Sequence, residues 1–264
     1  MSYEEPAIHN DQESVIGTNA KDSSDAAYIT IGRTRVPIED VLTAYAGTLN
    51  PGIAAPSTHR FANPTPVGLG GFAMTTFCLS IANFQGFGIK LPNAIVPLAV
   101  FYGGLTQLLA GMWEIAVENT FGAVALSGYG SFWLSWACIN IPWFGVSQAY
   151  AAVDDGPRMM QKFVGFYLLA WCIFTTGMCV CTVKSTLAFF AMFFLLSVTF
   201  LLLAIGELCP SEGATKAGGI VGIIVGVIAW YNTFAGVATK ENSYITVRPI
   251  YLPGSAGFTK LKSA

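Results

Sequence analysis

The sequence predicts an all-α membrane protein, with six transmembrane helices and a short N-terminal amphipathic helix. Of the 264 residues, 53% are hydrophobic and only 11% are charged, whereas soluble domains carry about 25% charged residues. The charges stand in small clusters that separate six apolar runs, and a helix that crosses a bilayer needs roughly 20 residues. Helices are expected because lipid offers no partner to open backbone amides and carbonyls.

The chain before the first apolar run divides into two parts. Residues 1–27 are rich in Asp, Glu, Ser and Asn, which is typical of a disordered tail, and they contain no apolar core of the kind found in a signal peptide. Residues 28–66 form an N-terminal segment in which Val36 to Gly52 is predicted to be an amphipathic helix on the membrane surface. A soluble helix packed on the tail is the alternative. Apolar side chains recur there at helical spacing, at Ile38, Val41, Leu42, Tyr45 and Leu49.

Residues 67–238 are predicted to form one six-helix transmembrane domain, and residues 239–264 a C-terminal tail. An even number of spans places both termini on one side of the membrane. Lys and Arg near the span ends divide evenly between the two sides, so the positive-inside rule gives no orientation. The long polar tail favours cytoplasmic termini. The six predicted spans are Val67 to Asn83, Pro92 to Trp113, Phe121 to Phe144, Phe163 to Cys181, Thr186 to Ile205 and Ala217 to Val237.

Several function classes are disfavoured by the residues that are present. The six cysteines lie in or near the spans, and both histidines, His9 and His59, lie outside them. We therefore expect free cysteines, no metal site and no cofactor. Motifs of hydrolases and nucleotide-binding enzymes are missing, which argues against an enzyme. A net charge of −2 gives no reason to expect a nucleic-acid partner.

Small residues are arranged on one face of the last predicted span. Gly218, Gly222 and Gly226 lie four residues apart, a spacing that lets two helix backbones approach closely. Helix packing explains most such glycines. A closely packed bundle with scattered hydroxyls and almost no fixed charge is also what a narrow path for a small solute requires.

Two acidic residues stand at the end of the second predicted span. Glu114 and Glu118 are separated by four residues, which predicts that they share one helix face. They are candidates for binding a cation, accepting a proton or gating. The alternative is that they lie at the water boundary and anchor the helix end.

Four motifs in order resemble one family. They are NPTPVGLGGFAMTTF, FYGGLTQLLAGMWE, ENTFGAVALSGYGSFWLS and CTVKSTLAFF. They resemble the acetate uptake transporters, also called succinate-acetate permeases, and specifically the fungal branch, over about Tyr28 to Arg248. The first motif is similar to the family signature Asn-Pro-Ala-Pro-Leu-Gly-Leu, with Thr65 in place of the alanine and Val67 in place of the leucine.

The resemblance implies a fold, an assembly and a pathway. Members of this family have six transmembrane helices and form homohexamers, with a separate solute path through each subunit. They carry acetate, and in some cases succinate or other short carboxylic acids, with proton-linked uptake in fungi. Their pathway has a narrow waist made by a Phe, a Tyr and a Leu, which would fall on Phe72, Tyr102 and Leu196. Leu195 is the alternative position for the leucine, one residue away. The family's acidic motif would fall on Glu114 and Glu118.

This resemblance gives the start of the first span an expected role. Asn63 can cap the helix, and a helix N-terminus that is open to a cavity attracts anions. Thr75 and Thr76 could then bind a carboxylate, or they could simply bond to their own helix backbone. Protonation of a weak acid removes most of the cost of burying it.

We therefore expect a plasma-membrane transporter or channel for acetate and small carboxylic acids that is linked to protons. An acetate- or ammonium-linked receptor and an ammonia or ammonium exporter are the alternatives.

Overall fold

The computed structural model describes residues 28–31, 34–37, 61–89 and 91–255, in two units that divide after Arg60. In the first unit, strands β1 (Tyr28–Ile31) and β2 (Thr34–Pro37) pair antiparallel, with Tyr28 opposite Pro37. Val36 and Pro37 therefore lie in a strand and do not begin a helix, in keeping with the β-branched residues around them. The rest of the predicted amphipathic helix lies outside the described residues.

The second unit is helical. Its second span, Pro92–Ala116, is a composite of a 3₁₀ turn (Pro92–Ile95), helix α2 (Val96–Val100), a wide π-helical segment (Phe101–Thr106) and helix α3 (Gln107–Ala116). The other helices are α1 (Thr65–Phe84), α4 (Thr120–Asn140), α5 (Val146–Ala151), α6 (Gly156–Val180), α7 (Leu187–Leu208) and α8 (Glu212–Val237).

Six of these segments correspond to the six predicted spans. In the part of the chain that the structure describes, five of them are long and apolar enough to cross a membrane: α1, the composite span, α6, α7 and α8. Helix α4 has 21 residues but is less apolar, since it carries Ser127, Ser131 and Ser135. It ends at Asn140 and not at Phe144, because Pro142 begins a separate turn. The all-helical membrane fold predicted from composition is confirmed.

The start of α1, the end of α8 and the α3–α4 turn share one end of the bundle. Thr65 bonds to Glu114 near the α3–α4 turn, and Pro66 covers Gly236 near the end of α8. The segment after α8 returns to the α6–α7 turn, where the Leu187 amide donates to the carbonyl of Ile250 at 2.8 Å. The described start and end of the bundle therefore lie on the same side, as an even number of spans requires.

The helices are arranged around one buried interior. Helix α1 packs between α8 and the composite span, α8 packs on α7, α7 on α6, and α3 on α4. Side chains bridge α4 and α6, where Trp171 stands 5.9 Å from Tyr129 and 5.3 Å from Phe132, measured between ring centroids.

The glycine face of α8 packs inside this same chain. A Cβ at Gly222 would overlap the Ser80 hydroxyl of α1, and one at Gly226 would stand 2.9 Å from Cβ of Phe77. Gly218 faces α7 instead, where a Cβ would stand 2.9 Å from a methyl of Leu203. Close approach of α8 to two neighbours therefore depends on these positions lacking side chains.

Candidate functional site

The interior of the bundle is closed by a cluster of large apolar side chains. Phe72 and Leu196 each have 4% of their surface exposed, and Tyr129 has 3%. All three belong to one contiguous buried cluster, and the rings of Phe72 and Tyr129 are 5.8 Å apart. Residues from α1, α4 and α7 thus belong to the cluster that fills the interior between the helices.

Tyr102 does not belong to this cluster. It lies in the π-helical segment, where its backbone carbonyl and ring face Gly71. Its hydroxyl lies over Gly70, at 2.6 Å from the place of a Cβ there. The glycines of α1 thus let Tyr102 pack flat on the helix. The structure therefore differs from the grouping that the motif resemblance implied, and the tyrosine that it brings to Phe72 is Tyr129.

The hydroxyl of Tyr129 is held in place. It donates a hydrogen bond of 2.9 Å to Oγ1 of Thr175, a fully buried residue of α6. The ring is surrounded by Trp171, Phe174 and Phe193, with centroids 5.7–6.2 Å away. The sequence motif SGYGSF contained this residue, but helical spacing alone gave no reason to prefer it over Tyr102.

The start of α1 is contacted by a carboxylate from the protein itself. Glu114 is 1% exposed. Its Oε1 accepts from the Thr65 hydroxyl at 2.5 Å, and its Oε2 accepts from Nδ2 of Asn119 at 2.7 Å. Asn119 in turn caps α4, because its Oδ1 accepts from the Gly122 amide. Asn63 accepts from the Thr65 amide at 3.1 Å. Glu114 therefore joins α1, α3 and α4 at one end of the bundle.

Glu118 lies apart from Glu114, contrary to the expected shared helix face. Helix α3 ends at Ala116, and Glu118 occupies a left-handed turn with φ of 61°. Its side chain is exposed while that of Glu114 is buried. The i, i+4 relation fails because the helix has ended between the two residues.

The two candidate threonines of α1 differ from each other. Thr75 is fully buried and donates to the carbonyl of Gly71 at 2.8 Å, which is the backbone bond expected of a threonine in a membrane helix. Thr76 is also buried, but its hydroxyl has no hydrogen-bond partner among the described residues. Of the two, Thr76 has a hydroxyl available to a solute.

Two further polar side chains were missed at the level of sequence. Gln107 is fully buried, and neither its amide nitrogen nor its amide oxygen has a partner in the described ranges. Nε1 of buried Trp133 likewise has no hydrogen-bond partner within the described part of the chain. A signal for Gln107 was present, because it is the one amide in the apolar run from Phe101 to Trp113.

A crevice of about 430 Å³ lies between α4 and α6. It opens at the surface and is mainly apolar, and its lining includes Ser127, Gly128 and the rings of Trp171 and Phe174. Both of these rings also contact the ring of Tyr129. The crevice therefore reaches the back of the cluster without passing through it.

Comparison with known proteins finds a matching family model and similar fungal proteins. The model of the GPR1/FUN34/yaaH family matches residues 45–254. Ammonia transport outward protein 2 of Saccharomyces cerevisiae is 55% identical over 228 residues, which cover 86% of this chain and 80% of that protein. Acetate permease A of Emericella nidulans is 43% identical over 225 residues, covering 82% and 76% of the two chains.

A bacterial relative extends the comparison to three dimensions. The succinate-acetate/proton symporter SatP of Escherichia coli K12 is 38% identical over 192 residues, covering 72% of this chain and 96% of that protein. A solved structure of the bacterial acetate channel SatP matches with a TM-score of 0.63 at 37% identity, covering 72% of this chain and 99% of that one.

Proposed function

Because this chain belongs to the GPR1/FUN34/yaaH family, a family of acetate permeases and channels and not of enzymes, we propose that it moves acetate and related short carboxylic acids across a membrane together with protons. The observation that carries the proposal is the buried apolar cluster in the interior of the bundle, to which Phe72, Tyr129 and Leu196 belong. A constriction of apolar side chains hinders ions and water, yet it can open for a small uncharged solute.

The charge distribution supports movement of a weak acid in its neutral form. No Lys or Arg lies within the bounds of α1, the composite span, α4 or α7. A carboxylate passing between these helices would meet only dipoles and hydroxyls, which replace its water poorly. The proton symport named for the bacterial relative agrees with this requirement.

Outward movement of ammonia is the second candidate, and the name of the yeast relative favours it. Ammonia is small and uncharged, so the same apolar constriction could admit it. Among the described residues, the unpaired polar atoms of the interior include both hydrogen-bond donors and an acceptor, which suits either solute. Direct measurement of flux is therefore needed.

The test is uptake of labelled acetate by purified protein in liposomes with an imposed pH gradient. Uptake above that of empty liposomes should rise as the external pH falls, and a protonophore should abolish accumulation beyond equilibrium. Accumulation that is unaffected by the protonophore would contradict proton linkage. Dissipation of an ammonium gradient without acetate uptake would favour the second candidate.

We place the protein in the plasma membrane as a homohexamer with cytoplasmic termini. The resemblance of its motifs to fungal uptake transporters supports the location and the assembly. Side chains such as Leu109 and Met112 of α3 and Ile220 and Ile224 of α8 are exposed, which supplies apolar faces for lipid or neighbouring subunits. Membrane fractionation tests the location, cross-linking in native membranes tests the assembly, and protease access to a tag on either terminus tests the orientation.

A further inference from the structure

A segment after α8 is bonded to the chain at the start of α7. We call residues 250–255 the C-terminal strap. The Leu187 amide donates to the carbonyl of Ile250 at 2.8 Å, and the Leu252 amide donates to the carbonyl of Ser185 at 3.0 Å. The strap therefore pairs with the α6–α7 turn through two backbone hydrogen bonds, one on either side of a single residue.

That residue is Thr186, which also caps α7. It stands opposite Tyr251 in an antiparallel bridge. Its hydroxyl accepts from the Phe189 amide at 3.3 Å, and such a cap satisfies an amide that has no partner within its own helix. The strap thus holds Thr186 from both sides, and Thr186 in turn holds the first turn of α7, which carries Phe189.

Phe189 belongs to a group of three rings that we call the aromatic triad. Phe121 of α4 lies 5.7 Å from Phe189 and 5.4 Å from Phe193, and the two α7 rings lie 5.3 Å apart, measured between centroids. Phe121 is in the first turn of α4 and Phe189 is in the first turn of α7. The triad therefore lies at the end of the bundle where α1 begins.

The triad joins two helices across the interior. Helix α4 packs mainly on the second span, whereas α7 packs on α6 and α8, so rings that link α4 to α7 reach between different parts of the helix ring. Phe193 is 3% exposed and stands 6.2 Å from the ring of Tyr129. Phe121 and Phe189 are half-buried and pack against the buried cluster. The triad thus covers that cluster at the end where α1 begins.

We propose that the C-terminal strap is a clasp: it holds the first turn of α7 so that the aromatic triad stays closed, and its release opens the interior at this end of the bundle. Phe189 is the positioning residue, because it connects the start of α7 to the other two rings. Release breaks few interactions, since the bridge has two backbone hydrogen bonds and Ile250 is 66% exposed. Segments with few buried contacts open at low free energy.

Leu252→Pro tests the clasp. Proline removes the amide that donates to Ser185 and is compatible with the extended backbone before it. Leu252→Ala is the matched control, because it keeps that amide. Hydrogen exchange of the amides from Leu187 to Phe190 should be about tenfold faster in Leu252→Pro than in the control and the wild type. Amides near Gly222, where α8 packs closely on α1, should exchange equally in all three. Equal exchange at the start of α7 in the two Leu252 variants would overturn the clasp.

Opening of the triad can be measured without any solute, by oxidation of its rings with hydroxyl radicals. Oxidation of buried Phe193 should be severalfold faster in Leu252→Pro than in Leu252→Ala. Unchanged oxidation together with faster amide exchange would show that the strap holds α7 without closing the interior, and it would overturn the proposal.

The effect on flux rests on the proposed transport function. At equal amounts of folded protein, initial acetate uptake into liposomes should rise severalfold in Leu252→Pro and in Phe189→Ala. The double variant should be no faster than the faster single variant, because both changes open the same contact. Phe194→Ala is the control on α7, since that ring is 52% exposed and stacks on Phe190, and its uptake should equal that of the wild type.

Slower uptake in Leu252→Pro, or two effects that multiply in the double variant, would overturn the clasp. A wild type that takes up no acetate would contradict the proposed function alone, because amide exchange and ring oxidation decide the clasp without transport.

Discussion

Shortening Leu196 tests whether the cluster of Phe72, Tyr129 and Leu196 selects solutes by size. Leu196 is 4% exposed and lies in the same buried cluster as the other two residues, so replacement by alanine removes three carbon atoms next to the constriction. Lactate is larger than acetate by one carbon and a hydroxyl. One methylene in an apolar pocket is worth about 1–3 kcal/mol of discrimination. The lactate-to-acetate ratio of initial uptake rates should therefore rise roughly tenfold in Leu196→Ala.

The comparison must be made at equal amounts of folded protein, because Leu→Ala in a core costs about 2–5 kcal/mol. Leu203→Ala is the matched control. Leu203 is on the same helix but packs over Gly218 of α8, and its loss should slow both acids by the same factor. Uptake of both labelled acids into liposomes gives the ratio. The assignment would be refuted by the same ratio in Leu196→Ala, Leu203→Ala and the wild type.

Three further predictions concern other parts of the bundle. Tyr129→Phe should lower the free energy of unfolding by about 1 kcal/mol, through loss of the hydrogen bond to Thr175. The lactate-to-acetate ratio of uptake rates should stay the same. A changed ratio in thermally stable protein would show that the hydroxyl contacts the solute. Glu114→Gln should retain most proton-linked uptake, because its amide can still accept from Asn119 and donate to the Thr65 hydroxyl. If acetate uptake into liposomes no longer depends on pH in this variant, Glu114 is instead a proton carrier. Gly222→Ala should destabilise the protein by about 1–3 kcal/mol through overlap with the Ser80 hydroxyl. Adding Ser80→Ala removes that hydroxyl and should recover part of the lost melting temperature. The same melting temperature in the single and the double variant would mean that the strain lies elsewhere.

The apolar runs were sufficient to predict the helical membrane fold, and the reason is physical. Lipid demands helices, so composition and length determine where they lie. The helices extend beyond the runs where polar residues reach the interface, as at the start of α6 at Gly156, which was expected only at Phe163. The sequence does not predict the β1–β2 hairpin, because the amphipathic pattern that starts at Val36 covers the last two residues of β2.

Local backbone geometry limited what could be predicted of the site. The relation between Glu114 and Glu118 depended on where α3 ends, and the left-handed turn at Glu118 has no clear signal in the sequence. The choice between Tyr102 and Tyr129 depended on packing, because both precede a glycine in an apolar run. Gln107 was overlooked although an isolated amide in a membrane helix is a known sign of function. Its lack of partners becomes visible only once neighbouring helices are in place.

The central claim is that the acid crosses in its neutral form, and electrical recording tests it most directly. Purified protein in a planar bilayer with an acetate gradient should carry labelled acetate without a matching current, and the pH should rise on the side that the acid leaves and fall on the side that it enters. A current whose reversal potential follows the acetate gradient would show that the ion itself passes and would contradict the account.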